Sequence, residues 1–150
     1  MAHLSEVGAV TIAISTANGA TGTTDIEGVS LDTAGYSDMT CIVAMGPITA
    51  GAVTTVKLQG SADSAGSPDD WTDLTGTSQT VGDGDDNEVF LLSCHRPAKR
   101  YIRLYVDRAT QAATVGSAVY VQTGARRRPV THGTGVNAAE EFASPAEGTA

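Results

Sequence analysis

Apolar side chains at every second position are the feature that most constrains how this chain can fold. The run from Arg100 to Val106 shows the pattern most clearly, because its aliphatic residues share one face while Tyr101, Arg103 and Tyr105 share the other. A side-chain period of two belongs to a β-strand with one buried face, and no helical period recurs along the chain. The sequence therefore predicts a fold built from strands.

Similar runs occur along most of the chain, separated by stretches rich in Gly, Thr, Ser and Asp that favour turns. Seven or eight short strands are predicted, at Val10–Ile14, Ile26–Leu31, Met39–Met45, Val53–Gln59, Trp71–Leu74, Glu88–Cys94, Arg100–Val106 and Ala113–Gln122. This pattern predicts an all-β fold: an antiparallel two-sheet β-sandwich, jelly-roll-like, with extended N- and C-terminal arms.

The burial and the end of one strand, and the positions of two loops, can also be predicted. Met39–Met45 is apolar on both faces and is interpreted as a more fully buried strand, which Gly46 and Pro47 are expected to end. Polar loops are expected over Gly60–Asp70 and Gly76–Asn87.

The composition changes at residue 124, where the apolar periodicity stops and small and polar residues dominate. Residues 1–123 are therefore interpreted as a β-sandwich domain with a short N-terminal arm, and residues 124–150 as an extended C-terminal arm. An arm that has no core of its own is a natural place for contacts with other molecules. The predicted partner-contact residues of this arm are Arg126, Arg127, Arg128, Pro129 and His132.

The formal net charge of −8 is unevenly distributed. Residues 1–95 hold thirteen acids and one base, Lys57, for a net −12, whereas residues 96–150 hold four acids and eight bases, for a net +4. The overall charge argues against nucleic acid as the main partner, so the three arginines of the arm are expected to pair with an acidic protein surface. The asymmetry predicts complementary contacts between copies or with a partner of mixed charge; the alternative is that the acids lie in solvated turns.

No catalytic site is predicted, and we expect a protein that is not an enzyme. The motifs HExxH, CxxC and GxSxG are absent. Cys94 beside His95 invites a nucleophile hypothesis, but neighbours on a strand point to opposite faces. Cys41 and Cys94 are interpreted as reduced core thiols, since a disulfide would require their strands to lie side by side.

Two acidic clusters could offer oxygen ligands to a hard cation such as calcium: Asp83–Glu88, and the group of Asp63, Asp69, Asp70 and Asp73. Neither has the spacing of an EF-hand loop, and Asp and Gly also stabilise tight turns. We therefore expect neither a metal nor a cofactor. No run of eighteen apolar residues occurs, and the start of the chain lacks a basic region followed by an apolar block, so neither a membrane partner nor a secretory signal is predicted.

Four segments of the chain follow one another in a recognisable order: Ser37–Gly51, Val56–Ser64, Asp70–Leu74 and Lys99–Val106. Their order, with Leu-Gln and an acidic turn before Trp71 and an Arg-Tyr strand afterwards, resembles that of small tailed-phage virion proteins of the capsid cement or decoration type. The resemblance covers residues 35–122.

The resemblance implies a β-sandwich that is made in the host cytoplasm and then placed on the exterior of the virion capsid. There it would bind the major capsid protein, bridge its subunits and reinforce the shell, with contacts between neighbouring copies. No catalytic residues come with the resemblance.

Two alternatives remain open. One is another virion role, as a tail or head–tail connector structural protein. The other is a carbohydrate-binding β-sandwich module, which would need a row of exposed aromatic side chains for which Tyr101, Tyr105 and Tyr120 are the candidates. Trp71 is expected to lie in the core or anchor a loop rather than form a ligand platform.

Overall fold

A computed structural model describes residues 3–64, 66–141 and 147–148 of the chain, with the side chains of residues 63 and 64 excepted. The described chain has one short helix, α1 (Leu4–Val7), and is otherwise built from strands. The strands are β1 (Ala9–Ile14), β2 (Ile26–Glu27), β3 (Leu31–Asp32), β4 (Asp38–Ile48), β5 (Val53–Ser61), β6 (Asp63–Ser64), β7 (Ser67–Pro68), β8 (Thr72–Asp73), β9 (Gln79–Val81), β10 (Val89–His95), β11 (Tyr101–Ala109) and β12 (Ala113–Thr123).

The strands form two antiparallel sheets that pack against each other, so the predicted fold class is confirmed. Sheet A has the order β1-β12-β4-β10. Sheet B has the order β2-β11-β5-β8, with β3 pairing with β11 beside β2 and β9 pairing with β5 beside β8. The hairpin of β6 and β7 projects from the connection between β5 and β8.

The order of the strands is that of a jelly roll. If β2 and β3 count as one interrupted edge strand, and β8 and β9 as another, the two sheets contain eight strand positions. Numbered along the chain, these positions lie in the order 1-8-3-6 in sheet A and 2-7-4-5 in sheet B. Positions 1 and 8, 2 and 7, 3 and 6, and 4 and 5 are therefore antiparallel neighbours, as two Greek keys wrapped into a double sheet require.

The core lies between the sheets and is made by the alternating residues of each strand. On β11 the aliphatic residues turn inward as predicted, and on β5 Val56 and Leu58 do the same. Burial of these side chains supplies the main favourable term for folding. The largest fully buried side chains are Ile14, Met39, Val43, Val56, Leu58, Val81, Ile102, Leu104, Val106, Val115 and Tyr120.

A buried tyrosine hydroxyl ties the two sheets together. Tyr120 lies on β12 in sheet A with no exposed surface, and its hydroxyl accepts a hydrogen bond from the Leu104 N–H of sheet B at 2.7 Å. The same hydroxyl donates to the Val29 carbonyl at 2.7 Å. Burial raises the pKa of Tyr120, so the hydroxyl keeps the proton that it donates. Val29 itself lies in the break between β2 and β3.

That break also explains one difference from the sequence prediction. Ile26–Leu31 was expected as one weak strand, but it is interrupted at Gly28, where the backbone approaches β11 closely. A Cβ at Gly28 would lie 2.8 Å from the Tyr120 hydroxyl oxygen and 2.9 Å from the Leu104 carbonyl oxygen. Only glycine fits this contact, and the Gly28 N–H donates to that same Leu104 carbonyl at 2.7 Å.

Other boundaries differ because short edge strands carry little periodicity. The expected polar loop over Gly76–Asn87 contains β9, and the loop over Gly60–Asp70 contains β6 and β7. The expected end of β4 at Gly46 and Pro47 is wrong, because the strand continues to Ile48 with the Pro47 ring exposed. The short N-terminal arm includes the helix α1.

Replacing Tyr120 with Phe tests the role of the buried hydroxyl. The Leu104 N–H and the Val29 carbonyl would lose their partner inside the protein, so the free energy of unfolding should fall by about 1–3 kcal/mol. Tyr105→Phe is the matched control, because it removes a hydroxyl bonded to Asp25 at the surface and should cost only about 0.5 kcal/mol. Urea unfolding followed by circular dichroism measures both losses, and equal losses would contradict the bridging role.

Candidate functional site

The described part of the C-terminal arm has no helix or strand, and its residues 132–134 lie along the outer edge of β1. The Gly133 N–H donates to the Val10 carbonyl at 2.8 Å, and the Ile12 N–H donates to the Thr134 carbonyl at 2.9 Å. These bonds use backbone groups of β1 that point away from β12. The chain thus covers one edge of sheet A with its own arm.

The predicted partner-contact residues divide into two groups. Arg126, Arg127, Arg128 and Pro129 are exposed, with a cis peptide bond between the last two. His132 instead faces its own domain, where its Nδ1 accepts a hydrogen bond from the Val10 N–H at 3.0 Å. The three arginines and Pro129 remain predicted contacts for a partner, while His132 has a role in holding the arm to β1. Residues 142–146, 149 and 150 of the predicted arm lie outside the described chain.

The outer face of sheet A is apolar across all four strands. The registers place Ile12 of β1, Val119 of β12, Ile42 of β4 and Leu91 of β10 in one row across the sheet, and residues directly opposite each other share a face. Neighbouring rows add further apolar side chains. We call this surface the apolar face, and it consists of Val10, Ile12, Ile42, Ala44, Val89, Leu91, Val119 and Val121.

The apolar face is most open at β10. Leu91 is 55% exposed and Val89 is 58% exposed, whereas the other members of the face are half-buried. Covering aliphatic side chains of this exposure with a partner makes the free energy of binding more favourable. Contiguous apolar surface of this kind marks sites of interaction with other proteins.

The outer edge of β10 is also open, since no described strand pairs with it. The Met45 N–H donates to the Glu88 carbonyl at 2.9 Å, so even-numbered residues along β10 face β4 in the hydrogen-bond ladder. The odd-numbered residues turn their backbone groups outward, and the Leu91 carbonyl accepts a hydrogen bond there from Gln79 Nε2 at 2.9 Å. An edge of this kind can accept a further strand.

The outer face of sheet B satisfies its polar groups internally. The Arg103 guanidinium lies 4.5 Å from the centroid of the Trp71 ring, donates to Gln59 Oε1 at 2.8 Å and pairs with Glu27 at 3.0 Å. Trp71 is half-buried and anchors its loop through this contact. With its donors and acceptors engaged among themselves, this face offers a partner less than the apolar face does.

The aromatic row needed by a carbohydrate-binding module is not formed. Tyr120 is fully buried and Tyr101 is only 7% exposed. Tyr105 is half-buried, and its hydroxyl donates to Asp25 at 2.8 Å. This hydrogen bond raises the pKa of Tyr105 to about 12. The three tyrosines thus have structural contacts in the domain and present no stacking platform.

The acidic loop, Gly82–Glu88, joins β9 to β10 and is ordered by its own carboxylates. Each of its three aspartates accepts a hydrogen bond from a backbone N–H group: Asp86 from Ile48 at 2.5 Å, Asp83 from Gly51 at 2.6 Å and Asp85 from Gly82 at 2.7 Å. These aspartates therefore stabilise tight turns in the loop, which is the alternative to a metal-binding role.

The second acidic cluster is divided among separate contacts. Asp73 pairs with Lys57 at 2.7 Å, and hydrogen bonds from Lys57 and then Gln59 lower the pKa of Asp73. Asp70 accepts a hydrogen bond from the Ser61 hydroxyl at 3.2 Å. The Asp63 side chain lies outside the described part of the structure. Among the described residues, no group of three or more His, Cys, Asp or Glu side chains is placed to hold a metal ion.

Cys94 and His95 point to opposite faces of β10, as the strand pattern predicts. Cys94 turns towards the core, while His95 is exposed and its Nδ1 contacts an Asp38 carboxylate oxygen. Hydrogen bonds from Ser37 and then from His95 lower the pKa of Asp38. The imidazole is thus paired with a carboxylate on β4 and not with the neighbouring thiol.

Cys41 and Cys94 lie on neighbouring strands, but both are free thiols. Burial raises the pKa of Cys41 to about 12, and burial followed by the nearby Asp38 charge raises the pKa of Cys94. Two protonated thiols in or beside the core fit the prediction of reduced core residues.

No protein-family model matches this chain, and no curated protein matches it in sequence. No helix in the described ranges is long and apolar enough to cross a membrane.

The sequence signal for the apolar face is a strand with apolar residues on both sides, which was interpreted as a sign of full burial. Met39–Met45 is apolar on both sides and was expected to be more fully buried, but Ile42 and Ala44 point outward and are only half-buried. Val89 and Leu91 follow the same two-sided pattern. In a two-layer sandwich one side of each strand must face outward, so a strand that is apolar on both sides indicates a surface for a partner.

Thiol labelling tests the placement of the two cysteines. In the native protein at pH 8, Cys41 should not react with a soluble disulfide reagent, and Cys94 should react more slowly than free cysteine, because a raised pKa leaves less thiolate. The rate at Cys94 should increase as the pH rises past 9. Unfolding in denaturant without reductant should release two thiols, and a count of zero would show a disulfide instead.

Proposed function

We propose that this chain is a phage capsid cement or decoration protein, which binds the outer surface of the major capsid protein shell and stabilises it. The observation that carries the proposal is the apolar face of sheet A, with the open edge of β10 beside it. A cement protein must bind a broad protein surface, and this face is broad, uncharged and partly uncovered.

The placement on a capsid is supported by the sequence resemblance. The resemblance covers residues 35–122, which include β4, β10 and all but the last residue of β12, three of the four strands that form the apolar face. The jelly roll is also an architecture of viral capsid domains. The occupant that we assign to the apolar face is therefore the outer surface of the major capsid protein.

Stabilisation of a shell follows from mass action. A protein that binds the assembled shell, and not its free subunits, shifts the assembly equilibrium towards the shell. A copy that bridges two capsid subunits binds the second subunit as an intramolecular step once it has bound the first. Many such copies on one shell add their stabilising effects. The exposed arginines 126–128 would add contacts at the rim of such a site.

Replacing Leu91 with Glu tests the apolar face. The side chain is exposed in the free protein, so folding should be unaffected, but a carboxylate in the covered interface should weaken binding to shells by about thirtyfold or more. Val53→Glu is the matched control, because Val53 is equally exposed, at 56%, but lies on β5 in sheet B. Co-sedimentation with purified shells that lack the protein measures binding, and urea unfolding checks that both variants are folded.

Two outcomes would contradict this function. One is binding of the Leu91→Glu variant to shells as tight as that of the unchanged protein. The other is a shell lacking the protein that resists heat and low salt as well as the complete shell. Imaging of particles that contain the protein would place it on the head, or on a tail or connector if the alternative virion role is correct.

A further inference from the structure

An open hollow lies at the end of the sandwich where β12 leaves sheet A. It has a volume of about 720 Å³ and is lined by residues 33–37, 96–98, 100, 124 and 126. Arg96, Arg100 and Arg126 belong to this lining, and none of its residues is acidic. A second hollow of about 290 Å³ shares Arg126 and adds Arg127. We call the larger hollow the arginine groove.

The positive charge of the arginine groove is only partly compensated. Asp32 pairs with Arg100 at 2.9 Å. Asp38 is engaged by Ser37 and His95 and is also influenced by the charge of Arg96. The side chains of Arg96 and Arg126 are exposed and donate no hydrogen bond to the described residues. A guanidinium group presents several donors in one plane and binds carboxylates in pairs of hydrogen bonds. The groove is therefore suited to a carboxylate-rich protein segment.

The acidic loop lies at the opposite end of the sandwich. Asp86 accepts a hydrogen bond from Ile48, the last residue of β4, and Asp83 accepts one from Gly51 in the turn that follows. Both donors lie at the far end of β4 from the groove. Asp83 and Asp86 each use one carboxylate oxygen for these bonds and keep the other for an outside donor, and Glu88 is exposed beside them. A Cβ added at Gly84 would meet nothing within 4 Å, so the loop tip projects into open space. Docking a loop that is already ordered costs little conformational entropy.

The two charged sites cannot meet within one copy. They are separated by the length of the strands, and β5 with its nine residues spans about 30 Å at the usual rise per residue. This distance is about three Debye lengths at 0.1 M salt, so neither site neutralises the other within the molecule. A second copy of the chain carries an acidic loop whose charge is opposite to that of the arginine groove, so we take this loop as the occupant of the groove.

We propose that the acidic loop of one copy docks in the arginine groove of the next, in a head-to-tail contact. The contact uses two different surfaces, so each copy keeps one site of each kind free for a further neighbour. It is separate from the apolar face, which leaves that face available to another protein. The inference concerns the chain in solution and does not depend on the proposed binding to a shell.

Two neutralised variants isolate a single contact. Asp83→Asn with Asp86→Asn removes two of the four acidic charges of the loop but keeps an oxygen for each backbone N–H. Arg96→Gln with Arg126→Gln removes charge from the groove. Each variant should associate with itself more weakly than the unchanged protein does. Mixed together, they should form a one-to-one complex, because the loop variant keeps a charged groove and the groove variant keeps a charged loop.

Sedimentation velocity at about 20 mM salt measures this association for each variant, for the mixture and for the unchanged protein. The unchanged protein should form larger species as its concentration rises, and about 0.5 M salt should dissociate them by screening. Each neutralised variant should associate with itself about tenfold more weakly than the unchanged protein does. Urea unfolding verifies that the variants are folded.

The control is Asp69→Asn with Asp70→Asn, which removes the same charge from exposed residues of the loop between β7 and β8. This variant should associate as the unchanged protein does. The proposal is overturned if the unchanged protein stays monomeric at millimolar concentration in low salt, if the mixed variants do not bind each other, or if the control loses as much affinity as the loop variant. None of these results would alter the outcome of the Leu91→Glu test.

Discussion

The Tyr120 hydroxyl is the interaction on which the two-sheet arrangement depends. The edge of sheet B is interrupted at Gly28, and this leaves the Leu104 N–H without a strand partner. The hydroxyl of Tyr120 accepts a hydrogen bond in place of that partner and donates one to the Val29 carbonyl. Because Tyr120 lies on β12, a side chain of sheet A supplies the hydrogen bonds that the interrupted edge of sheet B lacks. The same hydrogen bonds fix the position of one sheet relative to the other.

Fixing Tyr120 inward also determines what faces outward on sheet A. Val119 and Val121 flank Tyr120 on β12 and must point to the other side of the sheet. The registers of β12 with β1 and β4 then carry this outward side across to Ile12 and Ile42. The apolar face is thus a direct consequence of which residues of β12 are buried.

The sequence predicts the strands and their inner faces because both depend on local alternation. Ile102, Leu104 and Val106 could be assigned to the core from their spacing alone. The edge strand β9 is three residues long, too short for a period to be visible, and its existence depends on pairing with β5. The still shorter β8 lies inside the predicted strand Trp71–Leu74, although only Thr72 and Asp73 belong to it.

The candidate sites were less accessible to prediction because they depend on register and topology. The charge asymmetry is visible in the sequence, but the positions of the acidic loop and the arginine groove at opposite ends of the sandwich follow from where the loops of a jelly roll lie. Likewise, nothing in the composition of residues 124–150 indicates that Gly133 and Thr134 bond to β1. The absence of periodicity in the arm is visible in the sequence, whereas its contact with its own domain required the structure.

The outer faces and the ends of the sandwich offer physically different contributions to binding. The face of sheet B engages its charges with one another, so it contributes solubility without strong attraction to a partner. The apolar face supplies free energy through removal of surface from water, which is not directional. Charged sites at the ends of the sandwich supply orientation and rate of encounter instead.

The unequal edges of sheet A limit how copies could join through their strands. The C-terminal arm occupies the edge at β1, through Val10 and Ile12, while the edge at β10 is open. A sheet with two open edges can grow without end, as it does in a fibre. A molecule with one closed edge can extend its sheet on one side only, so pairing between two copies at β10 would leave no free edge for a third. The arm of each molecule thus blocks the addition of a strand at β1 and limits growth of the sheet to two copies.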